Sequence, residues 1–187
     1  MTFLKDTNSG KLLKEIRANS PLIWNISNFV SMDIAANMLL SIGASPAMAH
    51  AIEEAESFAN LSKAINGALT INIGTFDKHW QKCAVKVANE AKLHDIPWVL
   101  DPVGAGASEF RSNNAKELLF LKPTVLRGNG SEIISISGIS NSGKGVDSTS
   151  SSNEALDAAI KISNDNDIIV AITCLLYTSP SPRDKTV

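Results

Sequence analysis

Two spacings of apolar residues alternate along the chain, one typical of helices and one typical of strands. Apolar side chains three and four positions apart predict helices over residues 31–42, 52–65, 78–94, 112–121 and 153–163. Short apolar runs that end in turn residues lie between these helices and predict the strands SPAMAH, ALTINIG, IPWVLDPV, PTVLRGN and DIIVAIT. Because strands and helices alternate, the sequence predicts an α/β fold with a mostly parallel sheet and helices on both faces.

Polar residues and glycines follow the predicted strands at their carboxyl ends. The stretch LDPVGAG, residues 100–106, runs from an apolar strand into Asp101 and then loses almost all of its side chains. Ligands bind at this edge of an open α/β sheet, and glycines let the backbone approach a ligand closely. A tight strand-to-helix turn is the alternative explanation. The ligand site is favoured because other predicted strands also end on polar residues: His50, Asn72, Arg127 and Thr173.

The segment RGNGSE, residues 127–132, suggests a second charged strand end beside the first. If a helix begins near Gly130, Glu132 lies in its first turn beside unpaired backbone amides, where a metal-bound phosphate would also sit. An ordinary helix cap would give the same residues. Together with Asp101, this segment brings two carboxylates and a guanidinium to one edge, which suits Mg²⁺ and a nucleotide polyphosphate.

The composition of the chain indicates which kind of molecule the protein binds. The chain has 187 residues, 44% of them hydrophobic, so it can bury a core as one domain or as part of a larger one. Seventeen basic and nineteen acidic residues are scattered, which argues against a nucleic-acid or membrane-surface partner and favours a small molecule. Two cysteines without a CxxC motif fit a reduced, cytoplasmic setting. Lys5 and Asp6 interrupt the start of the chain, so no signal peptide is expected there.

One phosphate-binding motif in the sequence is misleading. GISNSGKG, residues 138–145, has the spacing of a P-loop, but Gly145 stands where a Ser or Thr would hold the metal. The following segment VDSTSSSNE is predicted to be a loop, so no helix would begin where the phosphates need one. A surface loop is the preferred interpretation.

Several motifs together resemble one protein family. They are NISNFVSMDIAANMLLSIGASPAMAHAIEE, INIGT, LDPVGAG, LRGNGSEI, KGVDS and VAIT, in that order between residues 25 and 173. They are similar to the hydroxyethylthiazole kinases of thiamine biosynthesis and salvage. The resemblance implies a ribokinase-like fold and transfer of the γ-phosphoryl group of ATP to the hydroxyl of 4-methyl-5-(2-hydroxyethyl)thiazole, with Mg²⁺. It also implies a homotrimer with sites between subunits.

The resemblance implies which residues contact the thiazole. It places the ring against Met48, with Asn28 near the same pocket. Considered without the resemblance, Met48 is favoured as a core residue, since it follows Pro46 and Ala47. The family often has a histidine where this chain has Trp24, so we expect an aromatic wall to replace a polar contact near the pocket.

The resemblance also implies which residues contact the nucleotide and the metal. ATP is placed on Arg127 and Thr173, and the metal and phosphate region on Asp101 and Glu132. These residues coincide with the charged strand ends found independently from the sequence pattern.

The chain departs from the family pattern after Thr173. The family continues with a glycine-rich Gly-Thr/Ala-Gly-Cys segment that supplies the catalytic cysteine, whereas residues 174–187 read CLLYTSPSPRDKTV. We therefore expect residues 1–173 to be an incomplete ribokinase-like kinase domain and residues 174–187 to be a non-native or disordered tail. Cys174 directly follows a strand without the glycine-rich turn, so it is not assigned as the catalytic cysteine, and no catalytic residue is assigned.

Three other interpretations fit the same sequence. A related ribokinase-fold kinase could act on another small alcohol, such as the hydroxymethylpyrimidine. The chain could instead be a non-catalytic thiazole- or nucleotide-binding module, or a truncated product without function. An assay that compares phosphorylation of the thiazole and of the pyrimidine tests the first interpretation. Calorimetry that detects binding where no turnover occurs supports a binding module, and failure to fold cooperatively supports a truncated product.

The tail gives the first prediction. The 187-residue chain should show no thiazole kinase activity. We call residues 1–173 followed by a family-type continuation the extended protein, and this protein should be active. The physical reason is that phosphoryl transfer needs donors fixed around the migrating phosphate, which a proline-punctuated polar tail cannot hold. Activity is measured as Mg²⁺-dependent phosphorylation by mass-verified protein. Turnover by the unmodified chain would contradict the prediction.

Overall fold

The computed structural model describes residues 8–138 and 148–173, and within these ranges it contains six strands. They are β1 (Leu22–Ile26), β2 (Ser45–Ala47), β3 (Ala68–Asn72), β4 (Trp98–Asp101), β5 (Val125–Asn129) and β6 (Ile169–Thr173). The helices are α1 (Asn8–Asn19), α2 (Met32–Ile42), α3 (Ala55–Ala64), α4 (Lys78–Leu93), α5 (Glu109–Phe120), α6 (Gly130–Ser137) and α7 (Ser148–Asn166). A 3-10 turn, Ile52–Glu54, precedes α3.

All six strands form one parallel sheet in the order β2-β1-β3-β4-β5-β6. Parallel pairing carries every strand in the same direction, so all carboxyl ends meet at one edge. The register places Asn72 beside Asp101 at the ends of β3 and β4, and Asn129 beside Thr173 at the ends of β5 and β6. The polar strand ends seen in the sequence are thus neighbours in space.

One face of the sheet carries the hydrophobic core. Alternate residues of neighbouring strands lie side by side on this face, and helices α3, α4, α5 and α6 contribute further buried residues to it. The largest buried side chains of the sheet are Trp24, Ile26, Leu69, Ile71, Leu100 and Leu126. Burying a large apolar side chain contributes about 1.5–3 kcal/mol, so this face is the main source of stability.

The opposite face of the sheet is more polar and less completely covered. Thr70 donates a hydrogen bond to the side chain of Asn25 there, 2.7 Å from oxygen to oxygen. Asn72 and Asp101 follow on the same face, both half-buried, and Arg127 is exposed. This polar face leads directly to the charged edge.

The α/β fold with a parallel sheet and surrounding helices confirms the sequence prediction, and all five predicted strands are present. The strand SPAMAH is shorter than predicted, since β2 ends at Ala47. Two elements were missed, namely α1 and β1. β1 is short and contains Asn25, which hid its strand character, although it lies between β2 and β3.

The serine-rich segment was predicted wrongly as a loop. Helix α7 begins at Ser148, so most of VDSTSSSNE is helical. Residues 139–147, which include most of the P-loop-like motif, lie outside the described residues, as does the predicted tail, residues 174–187. No helix among the described residues is long and apolar enough to cross a membrane.

Candidate functional site

Asp101 is the centre of the charged edge. Its Oδ2 atom accepts hydrogen bonds from Arg127 Nη1 and Asn72 Nδ2, each at 3.0 Å. These partners come from the two strands that flank β4. Among the described residues, no hydrogen bond reaches Asp101 Oδ1, so this oxygen keeps its acceptor capacity for a ligand.

Glu132 joins the start of α6 to the loop after β4. Its Oε2 accepts from the backbone N–H of Asn129 and its Oε1 from the backbone N–H of Gly104, both at 2.9 Å. The Asn129 side chain accepts from the Glu132 N–H in return, which completes a capping box. The helix begins at Gly130 as the sequence indicated, and Glu132 has a structural role whatever else it binds.

The charges at this edge influence one another. Burial raises the pKa of Asp101, with a further rise from nearby Glu132, and the Arg127 guanidinium opposes this shift. No group of three or more His, Cys, Asp or Glu side chains that could hold a metal occurs among the described residues. Mg²⁺ commonly uses only one or two carboxylates together with substrate phosphates and water. Asp101 Oδ1 is a carboxylate oxygen of the kind that Mg²⁺ uses, whereas both oxygens of Glu132 already accept backbone N–H groups.

Thr173 lies at the same edge as Arg127, one strand further along. It is exposed and pairs in register with Asn129, the cap of α6. The predicted nucleotide and metal residues Arg127, Thr173, Asp101 and Glu132 thus all come from β4, β5, β6 and the start of α6.

Asn28 is buried and held by hydrogen bonds of its own. Its Nδ2 donates to Asn72 Oδ1 at 2.6 Å, and its Oδ1 accepts from the backbone N–H groups of Val30 and Ser31 just before α2. Gly74 packs so closely that a Cβ there would lie 2.6 Å from Asn28 Nδ2. A chain of amides therefore runs from Asn28 through Asn72 to Asp101.

Met48 lies far from the charged residues of its own chain. It follows β2 at one edge of the sheet, whereas Arg127 lies on β5, four strand spacings or about 19 Å away. The Met48 side chain is half-buried. The structure thus brings the predicted nucleotide and metal residues together and keeps Met48 apart from them.

The expectation that Trp24 forms an aromatic wall of the pocket is wrong. The indole is fully buried and stacks on Phe58, with ring centroids 5.6 Å apart. Its Nε1–H donates to the carbonyl oxygen of Ala49 at 3.0 Å. Trp24 therefore forms a hydrogen bond from within the core to the segment that follows β2.

His50 forms hydrogen bonds within the same segment and with the residue just after β1. The backbone N–H of Ser27 donates to His50 Nε2 at 2.9 Å, and Nδ1 lies 3.2 Å from the carbonyl oxygen of Met48. Since Nε2 accepts, the neutral ring carries its proton on Nδ1 and donates it to Met48. Burial lowers the pKa of His50, with the Met48 hydrogen bond opposing.

Arg111 contributes to the strand ends at this edge, and the sequence analysis did not identify it. Its Nη1 donates to the carbonyl oxygens of Ile73 and Val103, at 2.7 and 3.0 Å. These carbonyls belong to the segments after β3 and β4, so one guanidinium ties two neighbouring strand ends together. An arginine near the start of a helix looks in sequence like any exposed charge, which is why its role was not predicted.

The fold and site define a parallel α/β protein with a charged carboxyl edge, and the comparisons agree. The profile of the Hydroxyethylthiazole kinase family matches residues 13–176. A hydroxyethylthiazole kinase of Rhizobium rhizogenes is 48% identical over 167 residues, covering 89% of this chain and 61% of the relative. One of Roseobacter denitrificans is 47% identical over 162 residues, covering 87% and 62%.

A solved structure supports the same assignment. The hydroxyethylthiazole kinase protein from Pyrococcus horikoshii OT3 matches with a TM-score of 0.76 and 38% identity, covering 92% of this chain and 61% of that one. The chain belongs to the hydroxyethylthiazole kinase family. It spans about 61% of the length of these relatives.

The second prediction concerns the neutral His50 ring. Because the pKa of His50 is lowered in the folded state, the neutral ring stabilises the fold above pH 6.5, the ordinary pKa of histidine. This stabilisation is lost as the pH falls through the pKa that His50 has in the folded state. The difference in free energy of unfolding between the wild type and His50→Gln should therefore shrink below that pH. Urea unfolding across pH measures it, with His79→Gln, exposed on α4, as the control. A difference that stays constant with pH would contradict the prediction.

Proposed function

We propose that the protein to which this chain belongs transfers the γ-phosphoryl group of ATP to the hydroxyl of 4-methyl-5-(2-hydroxyethyl)thiazole, in thiamine biosynthesis or salvage. The observation that carries the proposal is the ion pair of Asp101 and Arg127, 3.0 Å long, beside the capped start of α6. In a member of this family, such an edge is suited to hold the polyphosphate of a nucleotide. A cytoplasmic location belongs to the same proposal.

Each residue at this edge has a separate part in the proposed reaction. Arg127 is half-exposed and bonds Asp101 through Nη1, which leaves its other nitrogens able to bind phosphate oxygens. Thr173 offers a hydroxyl on the next strand. Asp101 and Glu132 would hold Mg²⁺, which when bound neutralises the charge that develops on the phosphates. Positioning and charge neutralisation supply most of the catalysis of phosphoryl transfer.

Met48 and the charged edge can form one site only if they come from different subunits. Within one chain Met48 lies three strand spacings, about 14 Å, from Asp101 on β4 and about 19 Å from Arg127 on β5, further than a small thiazole alcohol can bridge. Helix α2, which leads towards β2, buries none of its residues although it is rich in apolar side chains. Its exposed apolar residues, and those just before it, are Phe29, Val30, Ile34, Met38 and Leu40.

These exposed residues support a second copy of the chain as the occupant of this face. Large contiguous apolar surfaces are rare on monomers, and symmetric self-association is the common way to cover them. We therefore include a homotrimer in the proposal, with Met48 of one subunit facing the Asp101 edge of the next, where Asn28 of that next subunit lies two hydrogen bonds from its own Asp101.

The third prediction tests the roles of Asp101 and Glu132. In the extended protein, Asp101→Asn and Glu132→Gln should lower Mg²⁺-dependent kcat/KM by about 10²-fold or more, equivalent to about 2.7 kcal/mol, and change thiazole binding far less. Thiazole and pyrimidine alcohols are assayed side by side to identify the acceptor, and calorimetry detects binding without turnover.

Two controls separate chemistry from folding in this test. Asp95→Asn removes an exposed carboxylate that pairs with Lys63 away from the edge, and it should leave the kinetics unchanged. Glu132→Gln loses an acceptor for a backbone N–H, so its thermal melting must be measured beside its kinetics. Unchanged kinetics in Asp101→Asn would remove this residue from the site.

The fourth prediction tests the shared site. Met48→Asp should abolish thiazole binding by the extended protein without unfolding it, since Met48 is only half-buried. When Met48→Asp and Asp101→Asn subunits, each inactive alone, are refolded together, about a quarter of the sites combine both wild-type residues if each site spans two subunits of a symmetric oligomer. Recovery of about a quarter of the activity is expected. No recovery from mixed oligomers would place each site within one chain.

A further inference from the structure

The segment Met48–His50 has little regular structure to hold it in place. It follows β2, which has only three residues and pairs with β1 alone. The three residues themselves belong to no helix or strand. Yet this segment carries Met48, the residue proposed to contact the thiazole, so its conformation must be fixed by side chains.

Two hydrogen bonds fasten the segment to β1 and to the residue just after it, and a third lies within the segment. Trp24 Nε1 donates to the Ala49 carbonyl oxygen at 3.0 Å, and His50 Nδ1 bonds the Met48 carbonyl oxygen at 3.2 Å. The Ser27 N–H donates to His50 Nε2 at 2.9 Å. Two successive carbonyl groups are thereby held, which fixes the orientation of both peptide planes.

Both side chains that supply these hydrogen bonds are themselves held in place. The Trp24 indole has no exposed surface and stacks on Phe58, so it has little room to turn. The His50 ring packs against Trp80, with ring centroids 4.9 Å apart. A donor fixed by packing orients its acceptor better than a mobile surface side chain does.

We propose that Trp24 and His50 are positioning residues that hold the Met48–His50 segment against β1 and thereby set the affinity for the thiazole. This inference rests on the proposed function, because it assumes that Met48 contacts the thiazole. It gives a role to Trp24 at a position where the family often has a histidine: the indole N–H supplies from the core a hydrogen bond to the substrate-facing segment.

The test removes each tether while keeping the ring that packs. Trp24→Phe retains an aromatic ring in the core but has no N–H for Ala49. His50→Phe retains a ring against Trp80 but loses both backbone partners. Trp98→Phe is the matched control, because Trp98 is also a buried indole on the same face of the sheet and lies outside this segment.

Two quantities are measured on the extended protein. Hydrogen exchange is followed by NMR at the Ser27 backbone amide in Trp24→Phe and at the Trp24 indole N–H in His50→Phe, so that it reports whether the remaining tether still holds. Calorimetry reports the thiazole and ATP affinities. For Trp24→Phe and for His50→Phe we expect exchange about tenfold faster and thiazole binding about tenfold weaker, with ATP binding unchanged. Trp98→Phe should change neither quantity at these residues.

The possible outcomes test separately whether the tethers hold the segment, whether they set the affinity for the thiazole, and whether the proposed function is right. If exchange accelerates but thiazole affinity stays at the wild-type value, the tethers exist and do not set affinity, which overturns the inference. If neither quantity changes, the tethers do not hold the segment, and the inference also fails. If the wild-type extended protein binds no thiazole alcohol, the proposed function itself is wrong, and the exchange measurement still decides whether Trp24 and His50 hold the segment. If Trp24→Phe fails to fold, His50→Phe alone decides between these outcomes.

Discussion

The carboxylate of Asp101 is the charge on which the arrangement of the carboxyl edge depends. A partly buried carboxylate requires hydrogen-bond donors, and the parallel register supplies them from the strands on both sides. Asn72 and Arg127 meet at the same oxygen atom, so three strands are joined at their ends by one acceptor. No hydrogen bond from any residue that the structure describes reaches the other oxygen. The constraint that stabilises this edge therefore also leaves it able to bind a ligand.

The charged edge is connected to the opposite half of the sheet by amides. Asn72 accepts from Asn28 while it donates to Asp101, and Asn28 accepts from two backbone N–H groups just before α2. The start of helix α2 and the orientation of the Asp101 carboxylate are thus linked through two side chains. Since α2 is the helix whose apolar residues are exposed, this network joins the surface proposed for self-association to the edge proposed for the nucleotide.

The sequence was sufficient for the fold class and for the polar strand ends, because both depend on local patterns. Apolar runs followed by Asp101 and Arg127 identified β4 and β5, and the spacing from Asn129 to Glu132 indicated the capped start of α6. The sequence was insufficient for the complete order of the strands in the sheet. Strand order is a property of the tertiary structure, so the distance between Met48 and Arg127 could not be predicted from their positions in the chain. Trp24 was misjudged for a similar reason: an aromatic residue near a pocket in sequence can face the core instead.

The parallel sheet also has a consequence for how the chain folds. No two of its strands can form a hairpin, since every parallel pair needs a crossover between its members, and β1 pairs with β3 only after α2, β2 and α3 have been passed. Every strand pairing therefore closes a long loop before it gains stabilising contacts, which slows folding compared with a sheet of hairpins. During synthesis, β1 must wait for β3 to emerge from the ribosome before it has neighbours on both sides. Its apolar side chains, Trp24 and Ile26 among them, reach the burial seen in the folded sheet only after that interval, during which exposed apolar surface favours aggregation.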